Sequence, residues 1–455
     1  MAPSPTTLAA HDIAQKHRRF VLTPWLPQGG LDVPTIVRGD GSYVYDAEGV
    51  RYMDLTSGLV AANLGHGHPT VLAAMHAQID KLCFGPPNWF NDARADLAEQ
   101  LVALAPWPGE GGRAFFTTGG AQANEDAVKF ARAVTGRAKV LTAYRSFHGS
   151  SPGAAALTGE NRRWTSEPGV MPGVVRFWAP FPYRSPFDTT DPAEETARAL
   201  AHLRRTIAAE DPQRIAALLI EPVVGSNGVI VYPPDYLAGV RALCDEFGIL
   251  LIFDEVMTGF GRLGAAFGCE RFGVVPDAIS FAKGVTSAYA PLGGVLLRER
   301  HATFFDTAPL PGGHTYSGHP LAMSAGLGAL QAYREGGYFT RGLALDGLLR
   351  ARLERLARAH PIVGEVRGLG AFFALDFVSD RAARTPLVPW QGAGLGVMAA
   401  LYDGLRRRGV YAFGRYNVVH IAPPLVIEEA ELDEALATLD AAVGELEAAY
   451  AATLK

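Results

Sequence analysis

The spacing of hydrophobic positions changes along the chain and divides it into three stretches. Over the first sixty residues apolar positions are sparse except in PTIVRGDGSYVYDAEG, where Ile36 and Val37 lie on one side of Asp40-Gly41 and Tyr43, Val44 and Tyr45 on the other. Apolar runs flanking an Asp-Gly step predict a hairpin, because that dipeptide supplies the positive-φ turn that twisted strands need. From about residue 95 to 325, helix-period stretches (Ala95 to Ala105, Gln122 to Val134, Tyr236 to Phe247) alternate with short β-rich runs. Those runs are Val140 to Ala143, Ala216 to Ile220, Ile249 to Phe253, Ala278 to Phe281 and Gly294 to Leu297. Alternation of this kind predicts an α/β fold with a mainly parallel sheet covered by helices. Beyond residue 327 the pattern shifts to long helices (Leu343 to Ala359, Gly394 to Arg408, Glu428 to Ala451) with strands at Phe372 to Phe377 and Val418 to Ile421.

The 455 residues exceed what one core comfortably supports. The expectation is an N-terminal arm (1–61) packing with a small domain, a large domain (62–326) and a smaller α+β C-terminal domain (327–455).

Apolar residues make up 48% and charged residues 19% of the chain, the balance of an ordinary globular protein. The net charge of -5, with no basic block, gives no footprint for nucleic acid or an anionic membrane. No apolar stretch is long enough to span a bilayer, and the N-terminus has no apolar signal core. Three cysteines without a CxxC pair fit a reducing compartment, so a cytoplasmic location is expected. Only six residues are lysines (Lys16, Lys81, Lys129, Lys139, Lys283, Lys455), which leaves amine chemistry few candidates.

One of them stands out. LLIFDEV (Leu250 to Val256) is a buried strand pattern ending in Asp254 and Glu255, and DAISFAK (Asp277 to Lys283) is the next strand candidate, ending in Lys283. Ligands of open α/β sheets sit at the carboxyl ends of the strands, so a carboxylate and an amine face one crevice. Pyridoxal phosphate (PLP) chemistry needs this pair: an amine to condense with the aldehyde, and a carboxylate to keep the pyridine nitrogen protonated. A structural ion pair is the competing reading.

PLP also needs a phosphate cup. FFTTGGAQANEDAVKFAR (Phe115 to Arg132) passes through Gly119 and Gly120 into a helix, whose unpaired N–H groups and dipole favour an anion. The segment matches neither GxGxxG nor GxxxxGKS, so dinucleotide and nucleoside triphosphate readings lose support. SFHG (Ser146 to Gly149) follows a strand, and Phe147 there is placed to stack on a flat ring or to join the core. His148 reads as a hydrogen-bonded histidine near the cofactor. GHGHP (Gly65 to Pro69) has two histidines but no matching third ligand, so no metal site is expected. Arg406, Arg407 and Arg408 suit a solvated helix end.

Taken together, DEVMTGFGRLG (Asp254 to Gly264), SFAKGVTSAYAPLGGV (Ser280 to Val295) and GHTYSGHPLAMSAG (Gly313 to Gly326) resemble, in order, the motifs of the class III, fold-type I, PLP-dependent aminotransferases. The resemblance spans roughly Pro34 to Ala437. It implies that Lys283 attaches the cofactor and carries the proton, that Asp254 pairs with the pyridine nitrogen, and that Val256 and Phe147 press on opposite ring faces. Gly120 and Ala121 would bind phosphate through backbone amides, beside Gly119, and Glu221 in EPVVGSNGVIVYPP would lie near cofactor and substrate. Thr315 would reach the phosphate of a neighbouring subunit, which implies a homodimer, with a tetramer also open.

The chain departs from the family in places. Phe147 replaces the usual tyrosine, and Gly119 the usual serine of the cup. Where ornithine-type relatives carry arginine before the Pro-Pro pair, this chain has His420, with Arg415 further upstream. That arrangement resembles the ω-amino acid:pyruvate and taurine:pyruvate branch, in which a mobile arginine grips an acid substrate through its planar fork. Arg415 in a surface ion pair is the plainer reading. Val60 stands where amine transaminases often have tryptophan, and Trp25 and Trp89 are candidates to line the same pocket. The resemblance implies ping-pong transfer of an amino group from an amine or ω-amino acid to a 2-oxo acid, pyruvate favoured. An aminomutase or amino-acid epimerase of the same family is the alternative, because it would share Lys283 and the cup. A non-catalytic relative would be expected to have lost Lys283 or Asp254, and both are present.

Overall fold

The computed structural model describes residues 10–31, 33–166, 171–392 and 395–451. At its centre is a seven-stranded sheet in the order Gly112–Thr117, Gly293–Arg298, Ala278–Phe281, Leu250–Asp254, Ile215–Ile220, Lys139–Ala143, Val174–Phe177. Gly293–Arg298 runs antiparallel to both neighbours, and the pairings from Ala278–Phe281 to Val174–Phe177 are parallel. Ile215–Ile220 and Leu250–Asp254 are buried at every position, which is why they read as unbroken apolar runs and not as alternating ones. Helix Gly120–Thr135 packs on this sheet and ends at Gly136, whose left-handed backbone (φ 68°) closes the last turn.

The expected hairpin is present: Ile36–Asp40 pairs antiparallel with Tyr43–Asp46, which pairs in turn with Arg51–Asp54. Val410–Tyr411 adds a parallel strand to Arg51–Asp54, so the N-terminal segment is hydrogen-bonded to the C-terminal part of the chain. There, Val363–Leu369, Phe372–Asp380, Val418–Ile421 and Gly414–Arg415 form an antiparallel sheet. Helices Tyr338–Ala359, Leu395–Arg407 and Glu429–Tyr450 accompany it. Gly394, where the sequence pattern starts a helix, lies outside the described residues.

Several helices were not anticipated from hydrophobic spacing, among them Ala10–Phe20, Pro69–Lys81, Pro192–Ala209 and Pro320–Glu335. Pro320–Glu335 is buried on most of its circumference through alanine, glycine and serine, so it has no apolar stripe against a polar face. It runs unbroken through residue 326, which places the expected boundary between 326 and 327 inside a helix. One apolar cluster extends from Met53 through Leu251 and Tyr333 to Leu446, so the regions share a core. Arg262, fully buried, ties them together. It donates to the carbonyls of Ala371 (3.0 Å) and Pro423 (2.7 Å), to Ser57 Oγ (3.1 Å) and to Asn63 Oδ1 (2.7 Å).

Candidate active site

Strand Leu250–Asp254 places Asp254 beside Ser280 of the neighbouring parallel strand, and Lys283 emerges three residues later past the same edge. Lys283 sits at φ 47°, a left-handed backbone that a lysine adopts only at a cost, of order 1–3 kcal/mol. Both residues line one cavity of about 370 Å³, within the range of roughly 300–1,000 Å³ typical of small-molecule sites. Burial lowers the Lys283 amine to about 8, although Asp254 and Glu221 pull it upward.

Asp254 is held by neighbours on three elements. Its Oδ2 accepts from Asn124 Nδ2 (2.8 Å) and faces His148 Nδ1 at 2.7 Å, while its Oδ1 accepts from the Val256 N–H (3.0 Å). Asn124 also donates to the His148 carbonyl (2.9 Å) and accepts from the Ser280 hydroxyl. His148 therefore orients the carboxylate. Its Nε2 is buried with no partner among the described residues. Glu221 accepts from the N–H groups of Phe147 (3.1 Å) and Gly225 (2.7 Å), and burial pushes its carboxyl up. His420, fully buried and stacked on Phe413 (centroids 4.8 Å apart), is driven down to about 4 by burial and stays neutral.

At the other end of the cavity lie Gly119, Gly120 and Ala121, the start of helix Gly120–Thr135. The helix dipole and the amides of its first turn make this end suited to a phosphate. A Cβ on Gly120 would come within 2.9 Å of Val256 Cγ2, so the cup is roofed directly by Val256 and admits no larger residue there without movement. Phe147 lines the same cavity. An anion-binding helix end, Val256 and Phe147 as apolar lining, an amine depressed by its surroundings and a buried carboxylate are the set of groups that PLP requires.

Other expected residues fall elsewhere. Val60 is 1% exposed and packs with Val223, Leu263 and Phe372; its neighbour Ala61 lines the cavity instead. Trp89 is 60% exposed and Thr315 is exposed, and neither lines the cavity. Trp25 is also exposed, with the Arg162 guanidinium 5.4 Å from its ring centre. The ion pair of Arg415 is not a solvated surface one: it binds buried Glu160 Oε2 (2.6 Å) and Asn161 Oδ1 (2.9 Å). His66 of the Gly-His pair faces Asp54 (3.1 Å). Arg407 and Arg408 pair with Glu445, and Arg406 with Asp403. Asn124, Ser280 and Glu160 went unnoticed in the sequence. For Asn124 there was a usable signal, because it lies one helical turn after Gly120 and so shares its face.

Comparison with known proteins places this geometry in a family. The class-III aminotransferase family matches residues 30–443. A probable aminotransferase of Mycobacterium tuberculosis is 35% identical over 89% of this chain and 88% of its own length. Among solved structures, the taurine:2-oxoglutarate aminotransferase of Bifidobacterium kashiwanohense, in complex with PLP and glutamate, is 41% identical with a TM-score of 0.92. The alignment covers 96% of this chain and 98% of that one. An (S)-enantioselective ω-transaminase from Thermomicrobium roseum is 35% identical with a TM-score of 0.91, covering 96% and 99%. The chain belongs to the class III aminotransferases, has their fold type I architecture, and takes pyridoxal 5'-phosphate as its cofactor.

Proposed function

We propose that this aminotransferase moves an amino group from an ω-amino acid or amine to a 2-oxo acid, in two half-reactions that share one site. The reading is carried by Lys283 and Asp254 at the edges of adjacent strands in one cavity, opposite a helix N-terminus. Lys283 would hold the cofactor, the amides of Gly119, Gly120 and Ala121 its phosphate, and Val256 and Phe147 its ring faces. Asp254, oriented by His148 and Asn124, would face its pyridine nitrogen. When bound, PLP supplies an electron-withdrawing ring that acidifies the C–H of an attached amine. Lys283, neutral in part near pH 8, would be the group that takes up and returns the proton there. Glu221, protonated more readily than an ordinary carboxyl, keeps the Phe147 segment in place without adding a full negative charge.

The partner in this reading is a second copy of the chain. Phe84, Trp89, Phe90 and Tyr316 are exposed aromatic residues, and Phe84 contacts Tyr316 edge-on beside Thr315. Aromatic patches of this kind favour a subunit interface, and across it Thr315 and Trp89 would reach the other subunit's cavity. We place the protein in the cytoplasm on its cysteine usage. For the acceptor, sequence alone favours pyruvate, whereas 2-oxoglutarate is the acceptor in the name of the 41% identical relative.

The test is incubation of the PLP-loaded protein with 4-aminobutyrate and either pyruvate or 2-oxoglutarate. Net formation of alanine or glutamate, with parallel double-reciprocal plots, supports the reading. A donor that is rearranged or racemised without amino transfer would make the protein an isomerase.

A further inference from the structure

Glu160 and Arg162 have no role in the reaction as proposed, yet they form a charged cluster beside the cavity. Glu160 is fully buried and no single cation neutralises it. Its Oε2 accepts from Arg415 NH2 (2.6 Å) and Nε (3.1 Å) and from the Tyr416 hydroxyl (2.9 Å), and its Oε1 accepts from Arg162 Nε. One carboxylate thus faces two guanidiniums, leaving a surplus of one positive charge where little water reaches. The two cations are not equivalent. Arg415 is engaged on both Glu160 and Asn161, whereas NH2 of Arg162 is buried with no partner among the described residues.

The position of Arg162 gives that unsatisfied edge a purpose. Its guanidinium carbon lies 3.5 Å from the centre of the Phe147 ring and 5.4 Å from that of Trp25. Aromatic faces hold the guanidinium plane and leave its N–H edge for an acceptor. Phe147 lines the Lys283 cavity, so Arg162, stacked on that ring, stands directly beside the cavity with one donor unspent. Arg162 is also close enough to Lys283 to contribute to the lowering of its amine.

We infer that Arg162 receives the acidic group, carboxylate or sulfonate, of an ω-amino acid substrate, while Glu160 keeps Arg415 engaged as the support behind it. The inference rests on the proposed transaminase reading and moves to Arg162 the role expected of Arg415. One substrate anion matches the surplus of one charge, and a carboxylate supplies the acceptor that NH2 lacks.

The test compares 4-aminobutyrate, 3-aminopropanesulfonate and butylamine as donors for the holoenzyme and its Arg162→Gln and Arg162→Lys variants. In Arg162→Gln, Glu160 keeps Arg415 and Tyr416 as partners, and the cofactor absorbance of the purified protein reports that the site is intact. The expected result is a rise in KM of at least about tenfold for one or both acids in Arg162→Gln. The rise for butylamine is several-fold smaller, and Arg162→Lys recovers part of the loss. Butyrate, which cannot react, should bind the holoenzyme at least about tenfold more weakly in Arg162→Gln by calorimetry. An equal loss on acids and amine, or unchanged butyrate binding, overturns the inference. The calorimetric arm needs no turnover. Arg162-dependent butyrate binding in a protein that transfers no amino group would therefore uphold this inference and reject the proposed function.

Discussion

Asp254 and Glu255 are adjacent in sequence, and their carboxylates serve opposite sides of the same strand end. Asp254 faces His148 Nδ1 at 2.7 Å within the Lys283 cavity, whereas Glu255 accepts from the amides of Gly268 (2.8 Å) and Cys269 (2.7 Å) and from the Thr258 hydroxyl. Successive side chains of an extended segment point to opposite faces, so one residue belongs to the site and the next to the scaffold. Both are buried, and burial raises the Glu255 carboxyl.

The same chemical change at these two positions should give opposite phenotypes. Asp254→Asn keeps the shape but removes the charge facing the ring nitrogen, and kcat/KM should fall by about 10²–10³-fold with little change in thermal midpoint. Glu255→Gln puts an amide donor among three hydrogen-bond donors, and an unsatisfied buried pair costs about 1–3 kcal/mol, so the midpoint should drop while turnover at 25 °C changes little. Steady-state kinetics and thermal melts of both variants check this. A Glu255→Gln protein as inactive as Asp254→Asn would contradict the division of labour.

The catalytic pair was legible in the sequence for a local reason. Asp254 closes an unbroken apolar run and Lys283 one interrupted only by Ser280, and such runs mark buried strands whose ends hold ligands. The phosphate end was legible too, through Gly119 and Gly120 ahead of a helical period. Residues that act through distant partners left no such mark. Asn124 and Ser280 are 156 positions apart, and Glu160 and Arg415 are 255 apart. Glu160 looks like any surface acid in GENRRW until the fold buries it. Val60 misled for a related reason: its place in the motif is next to the cavity, yet its own side chain joins the apolar cluster around Phe372. Helix Pro320–Glu335 was hidden by its composition, because alanine and glycine on all sides give no periodicity to read.

Gly120 and Val256 should behave as a coupled pair. A methyl group at 120 would lie 2.9 Å from Val256 Cγ2, so Gly120→Ala must displace either the valine or the start of the phosphate cup. PLP affinity is expected to weaken about tenfold or more, equivalent to about 1.4 kcal/mol. Val256→Ala removes the obstructing methyls, so the double variant should bind PLP more tightly than the sum of the single effects allows. Equilibrium titration of the four proteins with PLP measures the coupling, and strict additivity would count against contact between the two positions.

The depressed amine of Lys283 sets a pH dependence for loading the cofactor. Only the neutral amine attacks an aldehyde. With the folded value near 8, the neutral fraction rises tenfold per pH unit below that point and levels above it. The apo protein should therefore take up PLP at a rate that climbs from pH 6 to about 8 and then flattens, as followed by visible absorbance in a stopped-flow instrument. An unshifted lysine, titrating near 10.4, would keep climbing past pH 9. That second profile would show that burial does not depress Lys283.

Arg262 should matter for stability more than for chemistry, although it belongs to the same DEVMTGFGRLG motif as Asp254. It is fully buried, burial lowers its guanidinium to about 10, and among the described residues it faces no carboxylate at hydrogen-bonding distance; its partners there are two carbonyls, a hydroxyl and an amide oxygen. These acceptors come from the N-terminal segment (Ser57, Asn63), the turn at Ala371 and Pro423 near the C-terminal sheet. Arg262→Met would fill much of the volume but leave those acceptors unpaired in the interior, at about 1–3 kcal/mol for each group that water cannot reach. Arg262→Lys keeps a charge but cannot span four acceptors with one ammonium. Both variants should lose several degrees of thermal midpoint, with Arg262→Met the more damaged, and should keep the Lys283 site able to bind PLP at low temperature. If instead either variant melts like the parent and fails to load the cofactor, Arg262 acts on the site and not on the joint between the regions.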